Sequence, residues 1–152
     1  PARYRRGMST HFWRSAPHPA LVAFDAPDGV NACTRRVRSN TPLQALTLLN
    51  DKGFYEFAHG LARKILREGG PTDQDRLRFA FAQCLARPPS AREQQRLLDL
   101  VQTVADELRD HPKEAQLLAP PGLPAGVPSH QAAAWTLVSR VLLNLDEFIT
   151  RE

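Results

Sequence analysis

From residue 41 onward, apolar residues recur at helical spacing between sharp start and stop signals. Thr41-Pro42-Leu43-Gln44 places Thr at an N-cap, Pro at the first helical position and Gln at the third, which is the pattern of a capping box. Leu43, Leu46 and Leu49 then repeat along one face as far as Asn50. Asp51 caps a second helix, in which Phe54, Phe57, Ala58, Leu61 and Ile65 keep helical spacing until Gly69-Gly70 ends it. Arg63, Lys64 and Arg67 fall in its last turns, where cations favour the helix dipole. Thr72 opens a third helix with Leu77, Ala80, Phe81, Cys84 and Leu85 inward, closed by Pro88-Pro89. Ser90-Ala91-Arg92-Glu93 is a second capping box, starting a long helix with Leu97, Val101, Val104 and Leu108 inward. Pro112 ends that helix, and Lys113 to Leu118 can add a short turn. The proline- and glycine-rich stretch 120–128 is a loop. Ser129 caps a final helix whose inward stripe is Trp135, Val138, Leu142, Leu145 and Phe148 or Ile149.

A cap contributes about 1 kcal/mol, so caps set boundaries while the apolar stripes supply the stability. No segment after residue 40 alternates with the period of two that a half-buried strand requires. The expected fold is therefore all-α: a small bundle of about five helices, two helical hairpins plus a C-terminal helix, over 41–152. An irregular, Arg-rich segment, 1–40, precedes it. Within that segment Met8 to Arg14 predicts a short helix, which Ala16-Pro17-His18-Pro19 stops. Leu21 to Phe24 is a short apolar stretch, and Asp25-Ala26-Pro27-Asp28-Gly29 is a turn by composition. Because 1–40 supplies few periodic apolar positions, the helical part is expected to fold without it. The segment itself is expected to pack on the helices or on another domain.

Length and composition set the remaining bounds. A chain of 152 residues with 42% hydrophobic and 24% charged residues is long enough to bury a core and ordinary in make-up. No apolar run approaches the ~18 residues of a membrane span. The chain opens on Pro1, with Arg3, Arg5 and Arg6 and no hydrophobic segment behind them, and is read as an excised or processed fragment without a signal peptide of its own. The net charge of +4 is unevenly spread. Residues 1–40 hold seven Arg against two Asp, a net of +5, whereas 41–152 hold 13 basic and 14 acidic residues, a net of −1. Such a basic quarter suits an anionic partner, or arginines paired bidentately with carboxylates on a neighbouring domain. Aromatic residues are too sparse among these arginines for a single-strand binder, so nucleic acid is not indicated.

Candidate chemistry is thin. His11, His18, His59, His111 and His130 are scattered without metal-ligand spacing, and solvent-facing or capping roles account for them. Cys33 and Cys84 have no CxxC spacing, so neither a haem c attachment nor a four-cysteine zinc site lies within these residues, and no metal site is expected. The two would pair only in an oxidising compartment, and the apolar face on which Cys84 falls already explains it as a buried thiol. Asp25-x-x-Asp28-x-x-Asn31 offers oxygen ligands but lacks the alternate-residue pattern and closing Glu of a calcium loop, so a polar turn is the simpler account. No catalytic constellation or phosphate loop is present. What remains is Arg35, Arg36 and Arg38, followed by Asn40 and Thr41 at a capped helix N-terminus. Together they form a candidate seat for an anion or a partner's carboxylate. The simpler alternative is that the arginines lock the loop to Asp25, Asp28 or an adjoining domain.

Several of these motifs also carry a resemblance. Phe24-Asp25-Ala26-Pro27-Asp28, the run from Cys33-Thr34-Arg35-Arg36 through Asn40-Thr41-Pro42-Leu43-Gln44-Ala45-Leu46, and Leu49-Asn50-Asp51 are similar to the planctomycete-specific domain of unknown function 1553, in its C-terminal part. So are Arg87-Pro88-Pro89-Ser90 and the tail Ala134-Trp135 with Leu142-Leu143-Asn144-Leu145-Asp146-Glu147-Phe148. The resemblance implies a large secreted parent with a cytochrome c-type, haem-binding domain, and hence an extracytoplasmic place in the periplasm or at the cell surface. It implies as partners the parent's N-terminal part and that cytochrome domain, with an anionic polysaccharide as a further one. No cofactor is expected in these residues themselves, and no family catalytic residue is carried over. The reading that follows is a non-catalytic helical module. The alternatives are an enzyme active site shared with the N-terminal part, to which Asp25, Asp28 and the arginines contribute, or an anionic-glycan binding module.

Overall fold

The structure, a computed structural model, describes residues 11–13, 15–35 and 39–150. Every regular element among them is a helix: α1 Pro19–Ala23, α2 Pro42–Asn50, α3 Lys52–Glu68, α4 Asp73–Leu85, α5 Ala91–Arg109, α6 Pro112–Leu118, α7 Ser129–Leu143 and α8 Asp146–Ile149. The fold is the all-α bundle with an irregular N-terminal stretch that the pattern predicts. The chain divides into two compact units, Pro1–Thr47 and Leu48–Glu152, the division falling inside α2.

In the Leu48–Glu152 unit the centre is α7, which packs against α3, α5 and α6. Its residues Ala132 through Thr136, Val138, Ser139 and Leu142 are buried. The alanine run lets neighbouring helices approach closely on that side. Two hydroxyls in the buried stretch are satisfied within the helix itself: Thr136 Oγ1 donates to the Ala132 carbonyl (3.0 Å) and Ser139 Oγ to the Trp135 carbonyl (2.8 Å). The Trp135 ring is fully enclosed, and its Nε1–H donates to Asp73 Oδ1 at 3.3 Å, which also accepts from Arg76. Around α7 the core gathers Ala62, Ile65 and Leu66 of α3, Leu77, Ala80 and Phe81 of α4, and Val101, Val104 and Leu108 of α5. Thr72 caps α4 and Ser90 caps α5, the latter through the full reciprocal box with Glu93.

The structure departs from the pattern where short range and long range disagree. Pro112 does not merely end a helix; it occupies the first position of α6, where its missing N–H is not needed. Pro19 likewise starts α1, with His18 Nδ1 accepting from the Ala20 N–H, so the proline cluster opens a helix rather than closing one. His11 to Trp13 are non-helical, and the rest of the helix expected over Met8 to Arg14 lies outside the described residues. Ser129 is the first residue of α7 and makes no cap; Pro128 stands at the N-cap. The final helix breaks at Asn144 and Leu145, so Phe148 and Ile149 belong to α8 and are half-buried rather than core. Phe57 is 48% exposed, although it has helical spacing with Phe54 and Leu61.

One residue ties the turn between α4 and α5 to α8. Ala86 adopts a left-handed conformation at φ 55° at the end of α4, and Arg87 follows. Its guanidinium meets Glu93 through Nη1 and Nη2 (3.0 and 2.7 Å), Glu147 through Nε and Nη2 (2.8 and 2.7 Å), and the Pro88 carbonyl through Nη1 (3.1 Å). It also lies 5.3 Å from the centroid of the buried Phe81 ring. All five guanidinium N–H groups thus have acceptors, an arrangement the single ammonium of Lys cannot reproduce.

Two outcomes follow. A chain beginning at Ser39 keeps strong helical circular dichroism and a cooperative melt, because among the described residues the buried apolar ones fall at Leu48 and beyond; loss of both would place residues 1–38 in the core. Arg87 holds the Glu93 carboxyl at about 2, below its ordinary 4.5, first through its own hydrogen bonds and then through those of Ser90. A folded-state pKa below the unfolded one means stability present above pH 4.5 and lost as pH falls from there towards about 2. Arg87→Lys should flatten that acid limb and lower Tm at neutral pH by about 2–4 °C, read by thermal melts at a series of pH values. An unchanged acid limb would show that the ion pair does not contribute.

Candidate functional site

In the Pro1–Thr47 unit the organising group is a carboxylate. The chain leaves α1 through Phe24 and enters Asp25 at φ 53°, the left-handed region that glycine usually occupies. There Asp25 Oδ2 accepts from the Ser39 N–H at 3.0 Å, from Ser39 Oγ at 2.6 Å and from Gln44 Nε2 at 3.3 Å. Gln44 Nε2 also donates to Ser39 Oγ at 2.8 Å. At its other end Gln44 completes the predicted capping box: Oε1 accepts from the Thr41 N–H (3.0 Å) and its own N–H donates to Thr41 Oγ1 (3.3 Å). Among the described residues of this unit Gln44 is the single buried one, at 1% exposure. A buried amide survives only when its polar atoms are paired, and this one links the N-terminus of α2 to a turn nineteen positions earlier in the chain.

The stripe expected along α2 is overturned by the same contacts. Leu43 and Leu46 are 64% and 54% exposed, and the inward positions are Gln44 and Leu48. The face of α2 is chosen by the hydrogen bonds of Gln44 rather than by the leucine period, because a paired Gln44 amide must face Asp25 and Ser39.

The capping box also bears on an anion seat at this helix. Pro42 has no N–H, and the N–H groups of Thr41 and Gln44 are both taken. At most the Leu43 N–H remains in the first turn for an outside anion. Asp28 is occupied too. Its Oδ1 accepts from the Val30 and Asn31 N–H groups (3.0 and 3.2 Å), and Oδ2 accepts from Asn31 Nδ2 (3.3 Å). Those backbone donors, Val30 foremost, hold its carboxyl below the ordinary carboxylate range. Asp28 is thus an Asx-turn former, as the composition of the turn suggests.

Between these turns lies a cavity of about 550 Å³. Phe12, Pro17, Val22, Pro27 and Val30 give it an apolar lining, while Asp25, Asp28, Cys33 and Arg35 supply its polar groups. The structure therefore brings Asp25, Asp28 and Arg35 to one concavity. Arg35 and Asn40 are exposed. Arg36 and Arg38 lie outside the described residues. Ser39 carries no local sequence signal, since the contact that places it joins residues fourteen positions apart.

Elsewhere the titratable groups are structural. His59 packs on Tyr55, with ring centroids 4.4 Å apart, and its Nε2 lies 3.1 Å from the Leu118 carbonyl oxygen; burial pushes its pKa down. Cys33 is exposed and Cys84 half-buried against the core, and both are free. Burial pushes the Cys84 thiol pKa up. Among the described residues no three His, Cys, Asp or Glu gather as a metal site, and no helix is long and apolar enough to cross a membrane.

Asp25→Ala removes the acceptor shared by Ser39 and Gln44. The Ser39 amide should then exchange with deuterium at least about tenfold faster, a loss of about 1.4 kcal/mol of local protection, while amides of α7 keep their protection. Unchanged exchange at Ser39 would mean that Asp25 does not hold the loop.

With the geometry in hand, comparisons with known proteins add one finding. No curated protein and no solved structure matches the chain. A family model described as PSD1, protein of unknown function (DUF1553), matches residues 1–101, which takes in the cavity, the capping box, the Arg87 turn and part of α5. The tail motifs after residue 101 lie outside the match. On a match covering well over half of its residues, the chain belongs to the PSD1 (DUF1553) family.

Proposed function

We propose that this chain is a non-catalytic helical module of a larger, secreted, haem-containing bacterial protein, where it mediates packing against another domain or a partner. The secreted and haem-containing parts of that reading rest on the family resemblance. The packing role is supported by one observation: the described residues of Pro1–Thr47 contain no buried apolar side chain, yet expose Trp13, Val22, Val30, Leu43 and Leu46. Isolated exposed leucines are common. Five large apolar groups exposed on a unit whose described residues include no buried apolar side chain favour an interface over a free surface.

A shared active site is the weaker reading. The carboxylates of Asp25 and Asp28 both accept hydrogen bonds within their own unit, and a general acid or base must instead reach the reacting group. A glycan reading leans on Arg35, an exposed cation among the described residues of the cavity.

The test is association with the remaining domains of the parent, expressed as a separate chain. Leu43→Asp with Leu46→Asp should weaken that association by about tenfold or more, equivalent to at least 1.4 kcal/mol. The isolated chain's Tm should move by no more than about 2–4 °C, as expected of exposed positions. Full-strength association by the double variant, or none by the parent sequence, would remove the packing role.

A further inference from the structure

We infer that a cavity in the Leu48–Glu152 unit binds the phosphate monoester of a small hydroxyl-bearing molecule. The inference concerns a different unit from the packing role and goes beyond it. The cavity, about 460 Å³, is formed by α3 and the 119–128 loop, and its size falls within the roughly 300–1,000 Å³ of small-molecule sites. Its first support is charge that the lining does not cancel. Arg63, Lys64 and Arg67 line the cavity, and Glu68 is the one carboxylate in the described lining. Arg67 takes Glu68, at 2.7 Å. Arg63 and Lys64 have no carboxylate partner among the described residues. Arg63 Nη1 donates to the Pro121 carbonyl at 3.3 Å and Lys64 Nζ to Gln83 Oε1 at 2.6 Å, both neutral acceptors. Each cation thus keeps N–H groups for a further acceptor. The helix dipole accounts for Arg67, in the last turn of α3, but it falls off within that turn and does not account for the other two. Two uncancelled positive charges match a phosphate monoester, which carries about −1.5 to −2 at neutral pH. A carboxylate or a sulfate ester brings a single charge.

The second support is Gly60, which also lines the cavity. It stands midway along α3, where glycine is the least favourable residue after proline. A Cβ at this position would meet no atom within 4 Å beyond its own helical turns, so packing among the described residues does not require the gap. Close approach of a ligand to the helix backbone does require it. Across the cavity the loop backbone comes near the same cations, since a Cβ on Gly122 would lie 3.9 Å from Arg63 Nη1. The described lining holds no aromatic ring and no large aliphatic side chain. A bulky apolar body finds no cover there, whereas hydroxyl groups can meet Glu68 and Arg67.

The experiment titrates the whole 152-residue chain with glucose 6-phosphate by calorimetry at low salt. Saturable binding to one site is expected, about tenfold or more tighter than that of glucose, glucose 6-sulfate or inorganic phosphate. It should weaken as salt rises. Arg63→Gln and Lys64→Gln should each reduce it by about tenfold. Both replace exposed side chains, so helical circular dichroism and Tm check that the fold is kept. Lys113→Gln removes an exposed cation outside the lining and should leave binding unchanged. Gly60→Ala should raise Tm by about 2 °C and weaken binding by about tenfold, whereas a glycine needed only for packing would lower Tm when replaced. Absence of binding would overturn the inference. So would equal binding of glucose 6-sulfate or inorganic phosphate, indifference to Arg63→Gln and Lys64→Gln, or a Gly60→Ala chain that binds as tightly as the parent. None of these outcomes bears on the association read through Leu43 and Leu46, which tests the packing role separately.

Discussion

The Leu48–Glu152 unit depends on burying α7 on nearly every side. A helix with eight buried residues in fifteen has no solvent face to spare, and the chain must supply cover from several directions. It does so with α3, α5 and α6. The long loop 119–128 follows from the same constraint, since the chain must leave α6 and return as α7 beside helices already in place. Its prolines and glycines prevent that return from becoming helix. The polar groups inside α7 illustrate how tightly burial governs the sequence. Thr136 and Ser139 are tolerated because each bonds a carbonyl four residues back, and Trp135 because its one donor reaches Asp73 at the start of α4.

Ion pairing is local by comparison and acts at the edges. Arg87 engages two carboxylates, one from the capping box of α5 and one from α8, where the chain has already broken from α7. Its side chain is 35% exposed, so the pairs are partly screened, and their value lies in geometry as much as in energy. The left-handed Ala86 directs the chain out of α4 so that the next residue can reach both partners. Capping, backbone conformation and electrostatics here specify one turn together, the agreement across levels expected of a well-specified region.

The bundle was legible in the sequence because its signals are short-range. Thr41 with Gln44, Asp51, Thr72 and Ser90 with Glu93 each cap within three residues, and each does so in the structure. The stripes of α4 and α5 read correctly for the same reason: their period is long enough to fix a face. Legibility failed where a distant partner decides. Leu43 and Leu46 fit an apolar stripe, but Gln44 is claimed by Asp25 and Ser39, and no local rule ranks a buried amide above two leucines. Pro19 and Pro112 were read as stops because proline disfavours helix at its predecessor, though it is equally suited to the first helical position. At the candidate site, residue type alone marks Asp25, Asp28 and Arg35. The cavity they share was invisible, because Phe12, Pro17 and Val22 line it from a stretch without periodicity.

The two units are therefore held by different physics. One is closed by apolar burial. The other, in its described residues, is organised by a carboxylate in a left-handed conformation and by one buried amide, with five of its large apolar groups exposed. Hydrogen bonds of this kind contribute about 0.5–1.5 kcal/mol each after exchange with water. Three or four of them can fix a loop, while ordering each residue costs about 1–2 kcal/mol of backbone entropy. On the packing reading proposed above, the exposed carbon of this segment is what a neighbouring domain would cover. On that reading a partner is met where the described residues have local order without buried apolar side chains, and there Arg35 and the cavity lie, within the family match.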